Sequence, residues 1–432
     1  MQALPGFRDF LPDDCAARNY IFTQWRNVSR RYGFAEYDGP LLEELDLFVR
    51  KSGAEIVKQL YDFTDKGGRA VALRPEMTPT LARMVAASHR DFRKPIKWFS
   101  IPQMFRYERP QKGRLREHYQ YNCDIIGEAS PDADVELIAV CIDILRAFGI
   151  TADDVVVRIS DREFWADFLR EQNVAEDRWQ QVLEVIDKSE REAREKTAER
   201  LGDLAEAVFR ILEEGGRSEK LDRIVDGLRQ RGLADFVKVD LRIVRGLAYY
   251  TGVVFEAFDR AGKLRAIAGG GRYDNLIHQL SEGSASLPAL GFAMGDVVLG
   301  ELIRENAAAS AKMKATMARD QQLDVYVVIA KEERRGHAVA QVQELRDRGY
   351  RVDYPLTEAK VGKQFQTAEH LNAEVAVLYG DEWPQVKVKR LATRDEQLVP
   401  HEELLARLAA SSTLSSRAER SGVEGSRGSS ER

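Results

Sequence analysis

Residues 97–127 have the sequence KWFSIPQMFRYERPQKGRLREHYQYNCDIIG, and this stretch decides the fold around it. Two segments with apolar and aromatic residues flank a turn, Pro-Gln-Lys-Gly, at 110–113. Proline lacks a backbone donor and glycine accepts positive φ, so Pro110 and Gly113 mark the tip of a predicted β-hairpin. Four arginines and one lysine lie within eleven residues of this hairpin. A guanidinium matches phosphate or carboxylate oxygens two at a time, so the loop either binds an anion or is an exposed, solvated charged loop.

The composition of the chain excludes several classes of protein. Its 432 residues are 44% hydrophobic, which is enough for two or three domains with separate cores. The formal net charge of −5 argues against a generally basic nucleic-acid binder, although it allows local basic patches. The N-terminus, MQALPGFRDFLPDD, has the pattern of neither a signal peptide nor a transit peptide. No apolar run approaches the roughly 20 residues that a membrane helix needs, so we expect no membrane association.

The cysteines and histidines predict neither a disulfide framework nor a metal site. Cys15, Cys123 and Cys141 are odd in number and lack metal-ligand spacing, which favours a reducing, cytoplasmic setting. The six histidines form no HxxxH or HxxE pattern, so we expect no structural zinc.

The part of the chain before residue 160 mixes helical and strand patterns. A carboxylate, Asp13 or Asp14, lies where the N-cap of the first helix is expected. Periodicity and turn residues predict these elements in order: an extended arm over 1–12, a helix, a strand over 34–37 ending before Pro40, strands over 55–63 and 69–73, a helix from about Pro79, the hairpin, a helix over 131–148 and a strand over 155–159.

Glu76 lies in the segment LRPEMT, residues 73–78, just before the predicted helix that starts near Pro79. A carboxylate at such a position has two possible roles. It caps the helix, which is the commoner use, or it binds an ammonium group in a pocket.

Strand patterns disappear between residues 161 and 235, where charged helical sequence predicts a helical insertion. Charge runs usually form solvated faces, so we assign the insertion no chemistry. Strands are predicted again over 237–241 and 253–258. The glycines of AGGGRYD, residues 268–274, allow close approach to a ligand or a tight packing corner, and by themselves are a weak signal. A helix over 296–305 is predicted to follow.

A second α/β unit with a mixed sheet is predicted after a helical linker over 306–322. The linker is rich in alanine, lysine and methionine. The unit covers 323–410, and the almost entirely polar tail 411–432 is predicted to be disordered. The predicted strands cover 323–329, 350–354, 374–379 and 386–391, and the predicted helices cover 332–348, 361–372 and 400–410.

Several segments together resemble one family. MFRYERPQKGRLREHYQ, residues 104–120, resembles motif 2 of class II aminoacyl-tRNA synthetases, in the form used by the histidyl-tRNA synthetases. LRPEMT resembles their ammonium-binding segment, and VRGLAYYTG, residues 244–252, resembles a motif special to the histidine enzymes. AGGGRYD and GFAMG match further family segments, and GFRDFLPDD with the following helix and strand resembles motif 1. The likeness covers about 1–410, and its specificity lies in the combination.

The resemblance implies both a fold and an activity. The fold is α/β (α+β): an antiparallel-sheet catalytic domain over 1–160 and 236–305, the helical insertion 161–235, and a C-terminal anticodon-binding domain over 323–410. The activity is activation of L-histidine with ATP to histidyl-adenylate, followed by transfer to the 3′ end of tRNA(His). Mg²⁺ is implied as a bridge between phosphate oxygens. The implied partners also include the tRNA acceptor end, the anticodon and a second copy of the chain in a cytoplasmic homodimer.

The resemblance also assigns roles to individual residues. Arg106 and Arg245 are the implied catalytic residues, since both match arginines beside the α-phosphate. The implied histidine-binding residues are Glu76, Met77, Thr78, Arg106, Gln120, Asp124, Arg245, Tyr249 and Tyr250. The implied ATP-binding residues are Arg106, Glu108, Arg114 and His118, with His118 where an adenine-stacking ring is expected. No protein nucleophile and no metal-ligating residue is implied.

The sequence departs from the family pattern after GFAMG. Motif 3 usually continues into a Glu-Arg pair whose arginine packs on adenine and reaches the γ-phosphate, whereas Val298 stands at the arginine position here. Three explanations are open. Another cation, such as Arg272 or Arg114, compensates for the missing arginine, or ATP binds in a different way, or the chain is not catalytic.

Two alternatives follow from this departure. The first is a non-catalytic, histidine-binding regulatory subunit of ATP phosphoribosyltransferase in histidine biosynthesis. That class typically lacks the C-terminal domain and has lost catalytic arginines, whereas this chain keeps Arg106, Arg114 and Arg245. The second is a non-catalytic RNA-binding or signalling protein on the same fold. We therefore expect a ligase.

Overall fold

The computed structural model describes residues 2–49, 57–216, 218–244 and 249–410. The chain forms two compact units, one up to Lys314 and one from Ala315. The predicted catalytic residue Arg245 and the predicted disordered tail 411–432 lie outside the described residues, as does part of the strand predicted over 55–63.

The first unit is built on a sheet of nine strands among the described residues. The order is β1-β5-β7-β12-β11-β10-β8-β9, and β6 pairs with β7 beside this path. All pairs are antiparallel except β1 with β5 and β8 with β9, so the largely antiparallel sheet expected from the resemblance is confirmed. The strands are β1 (Ala35–Glu36), β5 (Ile96–Ser100), β6 (Gln103–Phe105), β7 (Glu117–Ile126), β8 (Val155–Asp161), β9 (Val237–Val239), β10 (Val253–Asp259), β11 (Ala268–Arg272) and β12 (Ala289–Gly295).

The hairpin predicted from 97–127 is confirmed, and it pairs β5 and β6 with β7. At its tip Gly113 has a φ of 73°, and a bridge joins Gln111 to Arg114. A smaller sheet lies beside the main one, in the order β2 (Leu42–Glu44), β4 (Ala70–Leu73) and β3 (Tyr61–Thr64). Its strand β4 leads directly into Arg74, Pro75 and Glu76 at one wall of the functional site described below.

The glycines of the AGGGRYD segment form the strand β11. A Cβ atom on Gly270 would lie 2.2 Å from the carbonyl oxygen of Gly291 in the neighbouring strand. The backbones therefore approach too closely for any side chain at this position. Of the two readings of this segment, the packing role is the one observed at Gly270.

Two long helices cover one face of the main sheet. Helix α1 (Pro12–Arg31) buries Trp25 and Val28, and helix α4 (Pro131–Ala147) buries Leu137, Ile138 and Leu145 in the same core. The prediction of Asp13 or Asp14 as N-cap is wrong, because α1 already begins at Pro12 after Leu11. Proline suits the first helical position, where its missing N–H has no partner to lose, and both aspartates fall in the first turn, where the helix dipole favours them.

The remaining helices of the first unit include a run of five between β8 and β9, where sequence periodicity predicts the insertion. None of the described helices is long and apolar enough to cross a membrane. The helices are α2 (Leu45–Val49), α3 (Thr78–Ser88), α5 (Arg162–Glu171), α6 (Glu176–Lys188), α7 (Arg194–Leu201), α8 (Ala205–Glu214), α9 (Glu219–Gln230), α10 (Leu276–Leu280), α11 (Asp296–Glu305) and α12 (Ala307–Gln321), the last of which continues into the second unit.

The second unit has the predicted mixed sheet, in the order β14-β13-β15-β16-β17. Strand β17 was not predicted, because its sequence EQLVP is mostly exposed and its pairing with β16 rests on backbone hydrogen bonds. The elements are β13 (Val325–Ile329), α13 (Arg335–Asp347), β14 (Val352–Asp353), α14 (Val361–His370), β15 (Val375–Tyr379), β16 (Gln385–Arg390), β17 (Glu396–Pro400) and α15 (Leu404–Ala409).

Candidate active site

A cavity of about 420 Å³ opens in the first unit beside the hairpin and strands β7, β11 and β12. The predicted site residues that line it are Glu76, Thr78, Arg106, Glu108, Arg114, His118, Gln120, Asp124, Tyr249 and Tyr250. Met77 does not line the cavity. Its side chain is fully buried, and its methyl carbon would lie 3.0 Å from a Cβ on Gly39, so it is a packing residue.

Strand β7 brings the largest group of these residues together. Side chains alternate between the two faces of a strand, so residues two apart share a face. His118, Gln120, Asn122 and Asp124 all line the cavity. The intervening Tyr121 and Cys123 are fully buried on the opposite face, where Tyr121 packs against Trp25 of α1 at a ring distance of 5.6 Å. One strand thus carries a polar wall and a piece of the core.

Acidic and tyrosine side chains form one end of the cavity. The Tyr249 hydroxyl donates to Oε2 of Glu76 at 3.3 Å, and the Tyr273 hydroxyl donates to Oδ1 of Asp124 at 2.5 Å. The rings of Tyr249 and Tyr250 lie 5.0 Å apart, centre to centre. Buried carboxylates with phenol groups around them suit a small ligand that carries N–H donors and a flat ring.

The position of Glu76 distinguishes between its two possible roles, which are helix capping and ligand binding. Helix α3 begins at Thr78, and its N-cap is Met77. Glu76 therefore precedes the cap, is buried, and lines the cavity. The ligand-binding reading fits this position better than the capping reading.

Asp124 is buried deeply enough to change its ionisation. Burial raises the pKa of its carboxyl to about 7, although the hydrogen bond from Tyr273 opposes the shift. Space for this carboxylate depends on Gly291 of the neighbouring strand, since a Cβ there would lie 1.9 Å from Oδ1. The register of the sheet brings these two residues together, because β7 and β12 align Asp124 with Gly291.

Arginines from the hairpin lie towards the other end. Arg106 donates from Nε to the carbonyl oxygen of Pro75 at 2.9 Å, and Arg114 forms an ion pair with Glu108 at 2.6 Å. Burial, with repulsion from Arg106, Arg8 and Arg114, lowers the pKa of His118 to about 3. The imidazole is therefore neutral at neutral pH and can stack on a flat ring without adding charge.

The hairpin tip also has counter-charges of its own. Lys112 lies 3.2 Å from Glu305, and Arg116 donates to the carbonyl oxygen of Glu108 while its guanidinium covers the ring of Tyr107. The solvated-loop reading thus describes part of the tip, whereas Arg106 and Arg114 line the cavity.

Arg272, one of the cations considered in place of the motif 3 arginine, lies outside the cavity lining. Its side chain is 5% exposed and holds Asp134 at 2.6 Å, and it also donates to the carbonyl oxygens of Glu128 and Ser130. These contacts tie β11 to the start of α4. The alternative in which Arg272 compensates for Val298 is not favoured, because Arg272 does not line the cavity and a buried carboxylate already neutralises it.

Sequence analysis missed several residues that line the cavity, among them Tyr273 and Arg265. Tyr273 follows β11 and contacts Asp124, and Arg265 precedes β11 and also lines the cavity. Tyr273 could have been found, because it lies in the GGGRYD segment, which matches a segment of the family. Arg265 had no such signal, since it lies in an ordinary charged turn, AGKLRA.

Asp296 has a structural role next to the site. It lies at the start of α11, and its Oδ2 receives a hydrogen bond from Arg8 at 2.7 Å. Its Oδ1 accepts from the backbone N–H of Tyr119 at 2.9 Å. The N-terminal arm is thereby fastened to β7 and to the segment that follows GFAMG.

The described residues contain no group of three or more histidine, cysteine, aspartate or glutamate side chains that could hold a metal ion. The three cysteines are free. The cavity nevertheless contains single carboxylates, at Glu76, Glu108, Asp124 and Glu256.

Family models match both units of the chain. A model described as histidyl-tRNA synthetase matches residues 6–296, and a model described as an anticodon binding domain matches residues 324–411.

Curated relatives align over nearly the whole chain. A histidine–tRNA ligase of Opitutus terrae is 47% identical, and the alignment covers 94% of this chain and 97% of the relative. A chloroplastic/mitochondrial histidine–tRNA ligase of Arabidopsis thaliana is 39% identical, over 90% of this chain and 83% of the relative.

Solved structures show the same fold. The apo histidyl-tRNA synthetase of S. aureus superposes with a TM-score of 0.72 at 25% identity, covering 94% of this chain and 100% of that one. The histidyl-tRNA synthetase of Nostoc sp. has a TM-score of 0.74 at 23% identity, covering 95% and 99%. The match of one family model to most of the chain, with close relatives along nearly its full length, shows that this chain belongs to the histidyl-tRNA synthetase family.

Proposed function

We propose that the chain is a histidine–tRNA ligase, which activates L-histidine with ATP and transfers it to the 3′ end of tRNA(His). One observation carries the proposal: a single cavity joins an acidic, tyrosine-rich end to an arginine-rich hairpin. An amino acid with an ammonium group and a ring with N–H groups suits the first end. A polyphosphate suits the second.

The proposed first step is attack of the histidine carboxylate on the α-phosphorus of ATP, with pyrophosphate as leaving group. Both reactants are anionic, so cations must offset their repulsion and the charge that develops in the transition state. We assign this role to Arg106 and, by family resemblance, to Arg245. Nothing in the step requires a protein nucleophile.

Selection of histidine is proposed to rest on the acidic end of the cavity. Glu76 and Thr78, with Gln120, would accept from or donate to the amino-acid backbone groups. Asp124 and the tyrosines at 249, 250 and 273 would surround the imidazole. An amino acid without ring N–H groups would exclude water from these polar groups without offering them the hydrogen bonds that an imidazole makes, and this difference in free energy would favour histidine.

Mg²⁺ is proposed as a partner of ATP and not as a resident metal. Magnesium keeps several waters and usually takes only one or two carboxylates together with substrate phosphates. The scattered carboxylates of the cavity fit this mode, since Glu108 is paired with Arg114 and no cluster of three exists among the described residues.

The second unit is proposed to bind the anticodon of tRNA(His). The match of residues 324–411 to an anticodon-binding family model supports this role. The hairpin tip is proposed to meet the acceptor end. We also propose a cytoplasmic homodimer, on the strength of the motif 1 resemblance and the free cysteines, which a mass measurement in solution and cell fractionation would test.

The regulatory-subunit alternative is not favoured. A solved structure named as an ATP phosphoribosyltransferase regulatory subunit/histidyl-tRNA synthetase, from Bacillus halodurans, has a TM-score of 0.68 at 23% identity, and this likeness concerns the fold alone. The curated relatives that align over 90–94% of the chain at 36–47% identity are ligases by name.

Histidine-dependent exchange of pyrophosphate into ATP tests the proposed function. We expect exchange with L-histidine and Mg²⁺, and none without histidine or with other amino acids. The variant Arg106→Ala serves as control and should lose the exchange while keeping its fold by circular dichroism. A folded wild-type protein that binds histidine but catalyses no exchange would refute the ligase and favour the regulatory alternative.

A further inference from the structure

Arg265 and Tyr273 flank strand β11 at opposite ends of the cavity. The backbone N–H of Tyr273 bonds to the carbonyl oxygen of Ala289 at the start of β12, next to the acidic end. Ala268, the first residue of β11, aligns with Met294 near the end of β12. Arg265 precedes Ala268 and so lies beyond the Gly295 end. Five strand residues span about 17 Å, which is the distance scale of an extended ligand.

The neighbours of Arg265 identify this end of the cavity as the hairpin end. A Cβ placed on Gly113 at the hairpin tip would lie 3.5 Å from Cδ of Arg265 and 3.4 Å from Cγ2 of Val298. Arg265 and Val298 therefore contact the same spot on the tip. Val298 lies in the first turn of α11, is buried, and can offer an anion only apolar contact.

The cations at this end differ in their counter-charges. Arg114 is paired with Glu108 at 2.6 Å, and Lys112 is paired with Glu305. Within the part of the chain that the structure describes, Arg265 makes no side-chain hydrogen bond or ion pair. Partial burial and repulsion from Arg114 lower the pKa of Arg265, against the attraction of Glu108, and Arg191 repels it further. The surroundings of Arg265 therefore contain more positive than negative charge.

We propose that Arg265 binds the β- and γ-phosphates of ATP and supplies the cationic contact that Val298 cannot make. This inference rests on the proposed adenylation. The reacting α-phosphate must lie near Arg106, which contacts Pro75 beside Glu76 and so stands next to the amino acid. The two distal phosphates then extend away from the acidic end and towards the hairpin end, where Arg265 and Arg114 lie. A planar guanidinium can bind two phosphate oxygens at once.

The test compares Arg265→Ala with Lys263→Ala, a variant that removes one exposed positive charge from the same turn, outside the cavity lining. Calorimetry measures binding of ATP and of AMP, each with Mg²⁺, and the exchange assay measures the KM values for ATP and for histidine. We expect Arg265→Ala to weaken ATP binding and to raise its KM by roughly 10–100-fold, the usual effect of losing a charge-assisted hydrogen bond. AMP binding and the KM for histidine should stay within about twofold, and Arg265→Lys should recover part of the loss.

Several outcomes would overturn the assignment. Unchanged ATP affinity in Arg265→Ala, or an equal loss in Lys263→Ala, would show that Arg265 has no specific contact. An equal loss of AMP and ATP affinity would place the contact on the adenosine or the α-phosphate. If Arg265→Ala lowers the thermal midpoint, Arg265→Gln keeps most of the side chain and tests the charge. A wild-type protein without exchange would refute the proposed function, while the ATP and AMP titrations would still test Arg265.

Discussion

Asp124 shows how one residue depends on its surroundings at this site. The carboxylate accepts a hydrogen bond from Tyr273, faces the cavity, and occupies space that Gly291 leaves open. Burial raises its pKa from an ordinary 3.8 to about 7, so it holds a proton that the unfolded chain would lose at lower pH. The group therefore stabilises the fold below its unfolded pKa, and this contribution is lost as the pH rises through about 7.

Replacement of Asp124 by Asn should remove this pH dependence. Between about pH 5 and pH 8 the wild type should lose on the order of 2 kcal/mol of unfolding free energy through this group, and Asp124→Asn should not. Urea unfolding of both proteins at several pH values measures the difference. The exposed Asp153→Asn variant is the control and should follow the wild type. An identical pH slope in Asp124→Asn and wild type would contradict the raised pKa.

Arg245 carries a second prediction at the residue scale, although it lies outside the described residues. If it stabilises charge at the α-phosphate only in the transition state, Arg245→Ala should lower the adenylation rate by about 10²–10³-fold. Histidine binding should weaken much less. Single-turnover adenylate formation and histidine titration separate the two effects. Losses of similar size in rate and in binding would contradict the catalytic role.

Strands β11 and β12 form the element on which the cavity depends most. Their backbones approach closely because Gly271 faces Gly291 across the ladder, and Gly270 lies directly against the backbone of Gly291 and Phe292. The strand β7 then lies next to β12 in fixed register and presents its polar face to the cavity. A shift of one residue would turn that face into the core, so the close backbone contact protects the site.

A methyl group at Gly270 should disrupt this pair of strands. Its carbon would lie 2.2 Å from one backbone oxygen and 2.6 Å from the Cα of Phe292, and backbone atoms cannot move aside as a flexible side chain can. We expect Gly270→Ala to lose about 1–3 kcal/mol or more of unfolding free energy. Gly295→Ala at the end of β12 is the matched control, because nothing lies within 4 Å of its Cβ position. Equal thermal midpoints for the two variants would show that the strands can relax.

At the scale of the whole molecule, the described apolar residues of each unit form core clusters of their own. The core clusters of the first unit use residues no later than Met313, and those of the second unit begin at Leu323. Each unit thus buries its own apolar surface, which is the property that lets a domain fold by itself.

Deletion of residues 323–432 should therefore leave a folded catalytic unit. We expect the shortened protein to keep histidine-dependent exchange within about tenfold of the full chain, because the cavity residues all precede the deletion. Charging of tRNA(His) should fall much further if the second unit binds the anticodon. Circular dichroism controls for folding. Unchanged charging would refute the anticodon role, and loss of exchange in a folded protein would refute the independence of the first unit.

Much of the fold could be predicted because its signals are local. The hairpin at 97–127, the helix of 131–148 and most strands of both units follow from periodicity and turn residues, and the structure confirms them. The prediction over 55–63 is wrong for 57–60, which do not form a strand, since the strand there begins only at Tyr61. Strand β17 and the first residue of α1 could not be predicted in this way. Strand β17 is stabilised by its pairing with β16, and α1 begins at a proline in its first turn. Apolar periodicity indicates neither feature.

The sequence by itself determined the strand that carries His118, Gln120, Asn122 and Asp124, because the two-residue period of a strand places them on one face. It also places one arginine, Arg265, just before the glycine-rich β11 and another, Arg272, at its last residue. Tertiary structure alone decided which of them faces the cavity. Arg272 is neutralised by Asp134, which is 138 residues away in the chain, whereas Arg265 meets the hairpin tip without a partner among the described residues. The sequence gives the charge of each side chain. The opposite charge that neutralises it often lies in a distant segment, and only folding brings the two segments together.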